Sequence, residues 1–182
     1  MLGPVAFVAA WALLGATAER YDPTRQAISR LAALGAATRP AMTAALVVLG
    51  AGMVLYGLAV RPDRWWPLPV VNGMATFSVA ALPLEGGYDT AHGVAAAVGY
   101  VTLAAIPLAL SPPAARRLSV VVGLACAACL LASVLVARDG LFQRLGLTIG
   151  HVWIVVSALG LLRYPTSSST APPAPAPGPR RR

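Results

Sequence analysis

The chain has 182 residues, of which 58% are hydrophobic and 11% charged, and its mean hydropathy is +0.72. Soluble domains carry about a quarter charged residues, so this composition excludes an ordinary soluble fold. The net charge is +8 and every basic residue is Arg; these stand in short loops between apolar runs and at the C-terminal end, where they read as a topology signal and not as a nucleic-acid surface.

Six apolar segments follow in chain order, at 3–18, 41–60, 67–84, 91–110, 118–137 and 145–162. Each matches the length that crosses roughly 30 Å of hydrocarbon at about 1.5 Å per residue. The pattern predicts an all-α integral membrane bundle of six transmembrane helices over residues 1–164, followed by a disordered Pro/Ala-rich basic tail at 165–182 with almost nothing to bury. The first segment ends in Ala16-Thr17-Ala18, which resembles a signal-peptidase site. No basic residue precedes it, so a retained helix is expected.

Between the first two segments, Asp22-Pro23 reads as an N-cap with Pro at the first helical position, and Gly35 as a stop. The spacing of Ile28, Leu31 and Leu34 predicts a short helix over 23–34 lying on the membrane surface, against the alternative of a simple loop. Gly50, Gly52 and Gly57 in the second segment, and the Gly146/Gly150 GxxxG pair in the last, predict close helix packing, with a homodimer as the second use of that pair. Trp65 and Trp66 beside Arg64 fit an aromatic belt. Cys126 and Cys129 have no second Cys pair or neighbouring His to complete a zinc site and read as packing residues.

Six crossings put both termini on one side. Eight Arg accompany that side (61, 64, 116, 117, 163, 180, 181 and 182) against six on the other (20, 25, 30, 39, 138 and 144), which predicts cytoplasmic termini in the plasma (inner) membrane. The opposite face then collects Glu19, Asp22, Glu85, Asp89 and Asp139.

On that acidic face the segment from Leu84 to His92 brings two carboxylates near a histidine. With a helix beginning near Asp89, Asp89 and His92 share one helical face. His151, placed about one and a half turns into the sixth segment, is an ionisable group at membrane depth and a candidate site residue on that ground. Two imidazoles with Asp89 or Glu85 form a plausible zinc-ligand set, and Ser29 is a further polar partner on the same side.

The Gly3-Pro4 start, the Ala27-Ile28-Ser29-Arg30-Leu31 segment, the Asp89 to His92 segment and His151 together resemble a bacterial family of six-helix membrane proteins catalogued as domain of unknown function 998, over residues 3–163. That resemblance implies a membrane fold and carries no activity with it. In kind, Ser29, Asp89, His92 and His151 are also similar to the Ser, Asp and His residues that surround zinc in membrane hydrolases of the alkaline ceramidase and adiponectin receptor type. This chain departs from those in having six crossings, two histidines and no HxxxH in its last helix.

The favoured expectation is a protein without enzymatic activity that binds a small ligand, lipid or ion at its acidic, His-bearing face. The alternatives are a zinc-dependent lipid hydrolase with Asp89, His92 and His151 as ligands, and a proton-coupled transporter using His151 and Asp89.

Overall fold

The computed structural model describes residues 2–111, 113–136 and 138–163, with Pro113, Leu162 and Arg163 as backbone alone. The expected tail at 165–182 lies outside the described residues. Within them the chain is all-helical, with six α-helices and no strand: α1 Leu2–Thr17, α2 Arg39–Ala59, α3 Pro67–Ala81, α4 Asp89–Ala109, α5 Arg116–Leu135 and α6 Asp139–Arg163.

Four of these, α2, α4, α5 and α6, are long and apolar enough to cross a membrane. Helices α1 and α3 have 16 and 15 residues, or roughly 24 and 22 Å at 1.5 Å per residue, short of a 30 Å hydrocarbon core. The outer surface carries large aliphatic side chains on all six helices, from Leu13 to Val156, with Val101 70% and Val134 71% exposed. Water would penalise a continuous apolar exterior of this kind, whereas lipid chains match it. The chain is a membrane protein.

Sequential helices pack on one another from α1 to α6, and α6 closes the bundle by also packing against α4 and α1. Without water to drive apolar surfaces together, tight contact depends on small residues that let backbones approach. A side chain at Gly73 would meet the Gly50 carbonyl oxygen at 2.6 Å and Val54 at 2.8 Å, and one at Gly52 would meet Gly3 at 3.1 Å, so the α2 glycines seat α3 on one face and α1 on the other. Gly146 lies against Leu130 and Cys129 of α5, and Gly150 against Leu103 of α4, so both members of the GxxxG pair face neighbours within the chain. Cys126 is fully buried and its thiol donates to the Gly146 carbonyl at 3.2 Å. At the other end of the bundle, the Arg61 and Arg64 guanidinium groups lie over Trp66 and Trp65.

The expected surface helix over 23–34 is corrected by the structure. Residues 23–26 form turns, and only Ile28–Ala32 is helical, as a short 3-10 segment. The reason is where the backbone bonds go. The carbonyls of Pro23 and Gln26 accept from Arg144, and that of Thr24 accepts from Leu141 N at 3.0 Å, so three oxygens that an α-helix would use internally are taken by α6. Asp22 does begin a local motif, but as a turn in which its Oδ1 accepts from Thr24 N at 2.8 Å and Thr24 Oγ1 at 2.7 Å. Those bonds hold its carboxyl below the usual range. Ile28 and Leu31 point into the bundle and are buried, so the apolar spacing serves the protein core and not the lipid surface. Gly35, at φ +83°, ends the segment in a conformation that suits glycine.

The α2/α3 contact yields a direct test. Gly73→Leu is expected to lower the thermal unfolding midpoint in detergent by several degrees or to abolish folded yield. Gly93→Ala, where an added methyl meets nothing within 4 Å, should leave the midpoint unchanged or raise it slightly.

Candidate functional site

Three of the residues picked out from the sequence, Ser29, His92 and His151, line one interior cavity of about 80 Å³. A single water needs about 10–15 Å³ on the same measure, so the space holds several waters or the polar part of a small ligand. It opens beneath the Ile28–Ala32 segment and runs between α2, α3, α4 and α6. Six of its polar lining residues come from the helices themselves: Asn72, Thr76, His92, Tyr100, Gln143 and His151.

The partners of these groups define what they offer. His92, at the fourth position of α4 and 5% exposed, hydrogen-bonds through Nδ1 to the Leu82 carbonyl at 2.6 Å. A carbonyl only accepts, so Nδ1 is the donor in this bond. Asn72 Nδ2 donates to Gly99 O at 2.8 Å and Thr102 Oγ1 at 3.0 Å, joining α3 to α4. Gln143 Oε1 accepts from Ile28 N at 2.7 Å while its Nε2 donates to the Tyr100 hydroxyl, so one amide ties the capping segment, α4 and α6 together. His151 is 2% exposed, stands edge-on to Phe7 with ring centroids 5.5 Å apart, and its Nδ1 has no hydrogen-bond partner.

The carboxylates lie apart from this cavity. Asp89 and Glu85 are exposed, and neither lines it. Asp89 Oδ1 accepts from Glu85 N at 3.0 Å, and Glu85 pairs with Arg30. His151 is also deeper than its expected one and a half turns. Helix α6 begins at Asp139, so His151 lies twelve residues along it, at the helix midpoint. Its neighbour Gly150 packs on Leu103, eleven residues along α4 from His92, roughly 16 Å at 1.5 Å per residue. The two imidazoles therefore sit at different depths. Among the described residues no three His, Cys, Asp or Glu side chains gather where a metal ion would sit. The set Asp89, His92, His151 and Glu85 does not fit a zinc centre, whose ligands lie about 2.0–2.2 Å from the ion, and the likeness to zinc hydrolases finds no support in the geometry.

Sequence reasoning passed over the groups that hold the cap in place. Arg144 is 7% exposed. It donates through Nη1 to the carbonyls of Pro23 (2.5 Å), Gln26 (3.0 Å) and Gly140 (2.9 Å), and through Nη2 to the Tyr21 hydroxyl. The guanidinium also faces the Trp11 and Tyr21 rings at 5.3 and 5.5 Å. Burial pushes the Tyr21 phenol up, against the opposing pull of the Arg144 charge. Gln143 and Arg144 precede the apolar run at 145–162, which is why they looked like loop residues. The available signal was an adjacent amide and guanidinium within one helical turn of a membrane segment. Asn72, alone among the apolar residues around it, carried the same signal for α3.

Arg144→Met would remove the side-chain donor to the Pro23 carbonyl and the Tyr21 hydroxyl and leave the Gln26 carbonyl only its bond from Tyr21, loosening the capping segment. The expected result is several-fold faster tryptic cleavage at Arg20 and Arg25 in folded protein, followed by gel and mass spectrometry. Arg25→Gln, an exposed residue whose ion pair with Asp22 is 3.8 Å long, should leave cleavage at Arg20 unchanged.

No curated protein and no solved structure matches the chain. The family model described as protein of unknown function (DUF998) matches residues 1–160, covering the bundle, the capping segment and every cavity-lining residue, and the chain belongs to that family.

Proposed function

We propose that this protein is a six-crossing membrane protein that binds a small ligand in the interior cavity, beneath the end that carries the acidic loops. The observation that carries the reading is the cavity's lining. His92, Ser29 and His151, the last unpartnered at Nδ1, line one space from three separate parts of the chain. Hydrogen-bonding groups at membrane depth are costly unless satisfied, and a bound molecule satisfies those that the protein leaves open.

Asp89 and Glu85 serve this site indirectly in the proposal. Their bonds to the backbone and to Arg30 hold the α3–α4 loop against the capping segment, as does the Leu34 N to Leu84 O bond at 3.1 Å. In this reading α1 and α3 also cross the membrane, and the larger number of Arg on the terminal side places both termini in the cytoplasm of a plasma-membrane protein.

Gly99→Leu tests the binding site. Gly99 lines the cavity, and a Cβ added there meets only the Ala75 methyl at 3.9 Å, so a larger side chain enters the space without forcing the backbone. Native mass spectrometry of protein extracted gently from its host membrane should show a retained small molecule on wild type and at least tenfold less on Gly99→Leu at equal folded yield. Equal occupancy of the two would overturn the reading. Topology is checked separately: a fluorescent protein fused after residue 163 should fluoresce, and alkaline phosphatase inserted at Gly87 should be active.

A further inference from the structure

His151 lines two cavities. One is the interior space described above. The other is a groove of about 370 Å³ on the membrane-facing side between α1 and α6, lined by Pro4, Val8 and Ala12 on one wall and Thr148, Val152 and Val155 on the other. Apart from His151 and Thr148, every residue lining it is apolar. From Pro4 to Ala12 the groove follows α1 for eight residues, roughly 12 Å at 1.5 Å per residue. Its length and lining suit an alkyl chain lying along the helices.

The polar end of the occupant is constrained by what the interior cavity lacks. Its polar lining residues are Ser29, Asn72, Thr76, Tyr100, Gln143 and the two histidines, with no Asp, Glu, Lys or Arg among them. A phosphate, carboxylate or ammonium head would enter a buried space with no opposing fixed charge, at a cost far above that of a hydroxyl or ester. The seven side chains are hydrogen-bonding groups that suit an uncharged head. His151, buried to within 2% and unpartnered at Nδ1, lines both the apolar groove and the polar cavity.

We infer that the ligand is an uncharged membrane amphiphile, a neutral lipid with a hydroxyl or ester head, whose chain lies in the α1–α6 groove and whose head hydrogen-bonds His151 at the inner cavity. This inference rests on the binding role proposed above and names the class of molecule bound. It also gives the ligand a path from the bilayer, between α1 and α6, without crossing the capped end.

The test uses a monoacylglycerol with a diazirine in its acyl chain, added to the full-length protein in nanodiscs and irradiated. Labelling is expected on α1 between Pro4 and Ala12 and on α6 between Thr148 and Val156. Unlabelled monoacylglycerol should compete, and the lysophosphatidic acid of equal chain length should not. His151→Leu should reduce labelling at least fivefold, while His151→Gln, which keeps a donor and an acceptor, should restore much of it; melting curves of both variants confirm folding. Groove labelling that resists competition and is unchanged in His151→Leu would mean lipid packed against an outer surface only, and would overturn the inference. So would equal or stronger competition by the charged lipid. A retained molecule that Gly99→Leu excludes, found together with no groove labelling, would overturn this inference and leave the cavity-binding reading standing. Retention unaffected by Gly99→Leu would remove that reading itself.

Discussion

Polar groups placed inside a bundle that faces hydrocarbon must find their partners within the protein, because no solvent is there to supply them. Most of the architecture around the cavity follows from that demand. Asn72 joins α3 to α4, the His92 ring is held by the end of α3, and the Gln143 amide is divided between Tyr100 and the backbone of Ile28. Arg144 carries the demand furthest. A buried guanidinium with no carboxylate bonded to it among the described residues sets its two terminal nitrogens on three backbone carbonyls and a phenol, with Nε left unmatched, and those bonds fold residues 21–26 over the end of the bundle. Among the described residues Trp11 Nε1, Arg144 Nε and His151 Nδ1 depart from the pattern, each buried and unmatched.

The cavity exists because packing is tight elsewhere. Glycines bring α2 against α1 and α3, and α6 against α5 and α4, to distances that leave no room for a Cβ. Gly99 is an exception, with only Ala75 at 3.9 Å, and the space beside it is part of the cavity. Small residues thus act in two ways here. Where backbones meet they give adhesion, and where they do not they leave a void that the neighbouring polar side chains line. A void whose wall is polar yet uncharged selects against ions and accommodates uncharged hydrogen-bonding groups.

Much of the fold was readable from the chain. The six apolar runs coincide with six helices, with ends shifted by no more than two residues in most cases, since hydrophobic runs of this length have few alternatives in a bilayer. The larger differences fall where polar chemistry outweighs apolar length. Helix α3 stops at Ala81, before Pro83, whose ring disfavours a helical Leu82; Leu82 leaves the helix at φ −111°, ψ 74°. Helix α6 starts at Asp139, six residues before the apolar run, because Gln143 and Arg144 are buried by their bonds to the cap and need no water. That early start alone moved His151 from about one and a half turns into the helix to its midpoint.

The sequence by itself determined that this is a helical membrane protein, where its helices lie, and that Ser29, His92 and His151 were worth attention. Those conclusions depend on local quantities, namely the apolar length of a segment and the cost of a polar residue within it, which act residue by residue. Only the tertiary structure decided that these three share a cavity while Asp89 and Glu85 remain outside it, and that Tyr100, Gln143 and Arg144 belong to the site and its cap. Depth and convergence depend on how the helices cross and how far each extends. The glycine contacts and the Arg144 bonds to a segment more than a hundred residues away set both, and no local pattern encodes them.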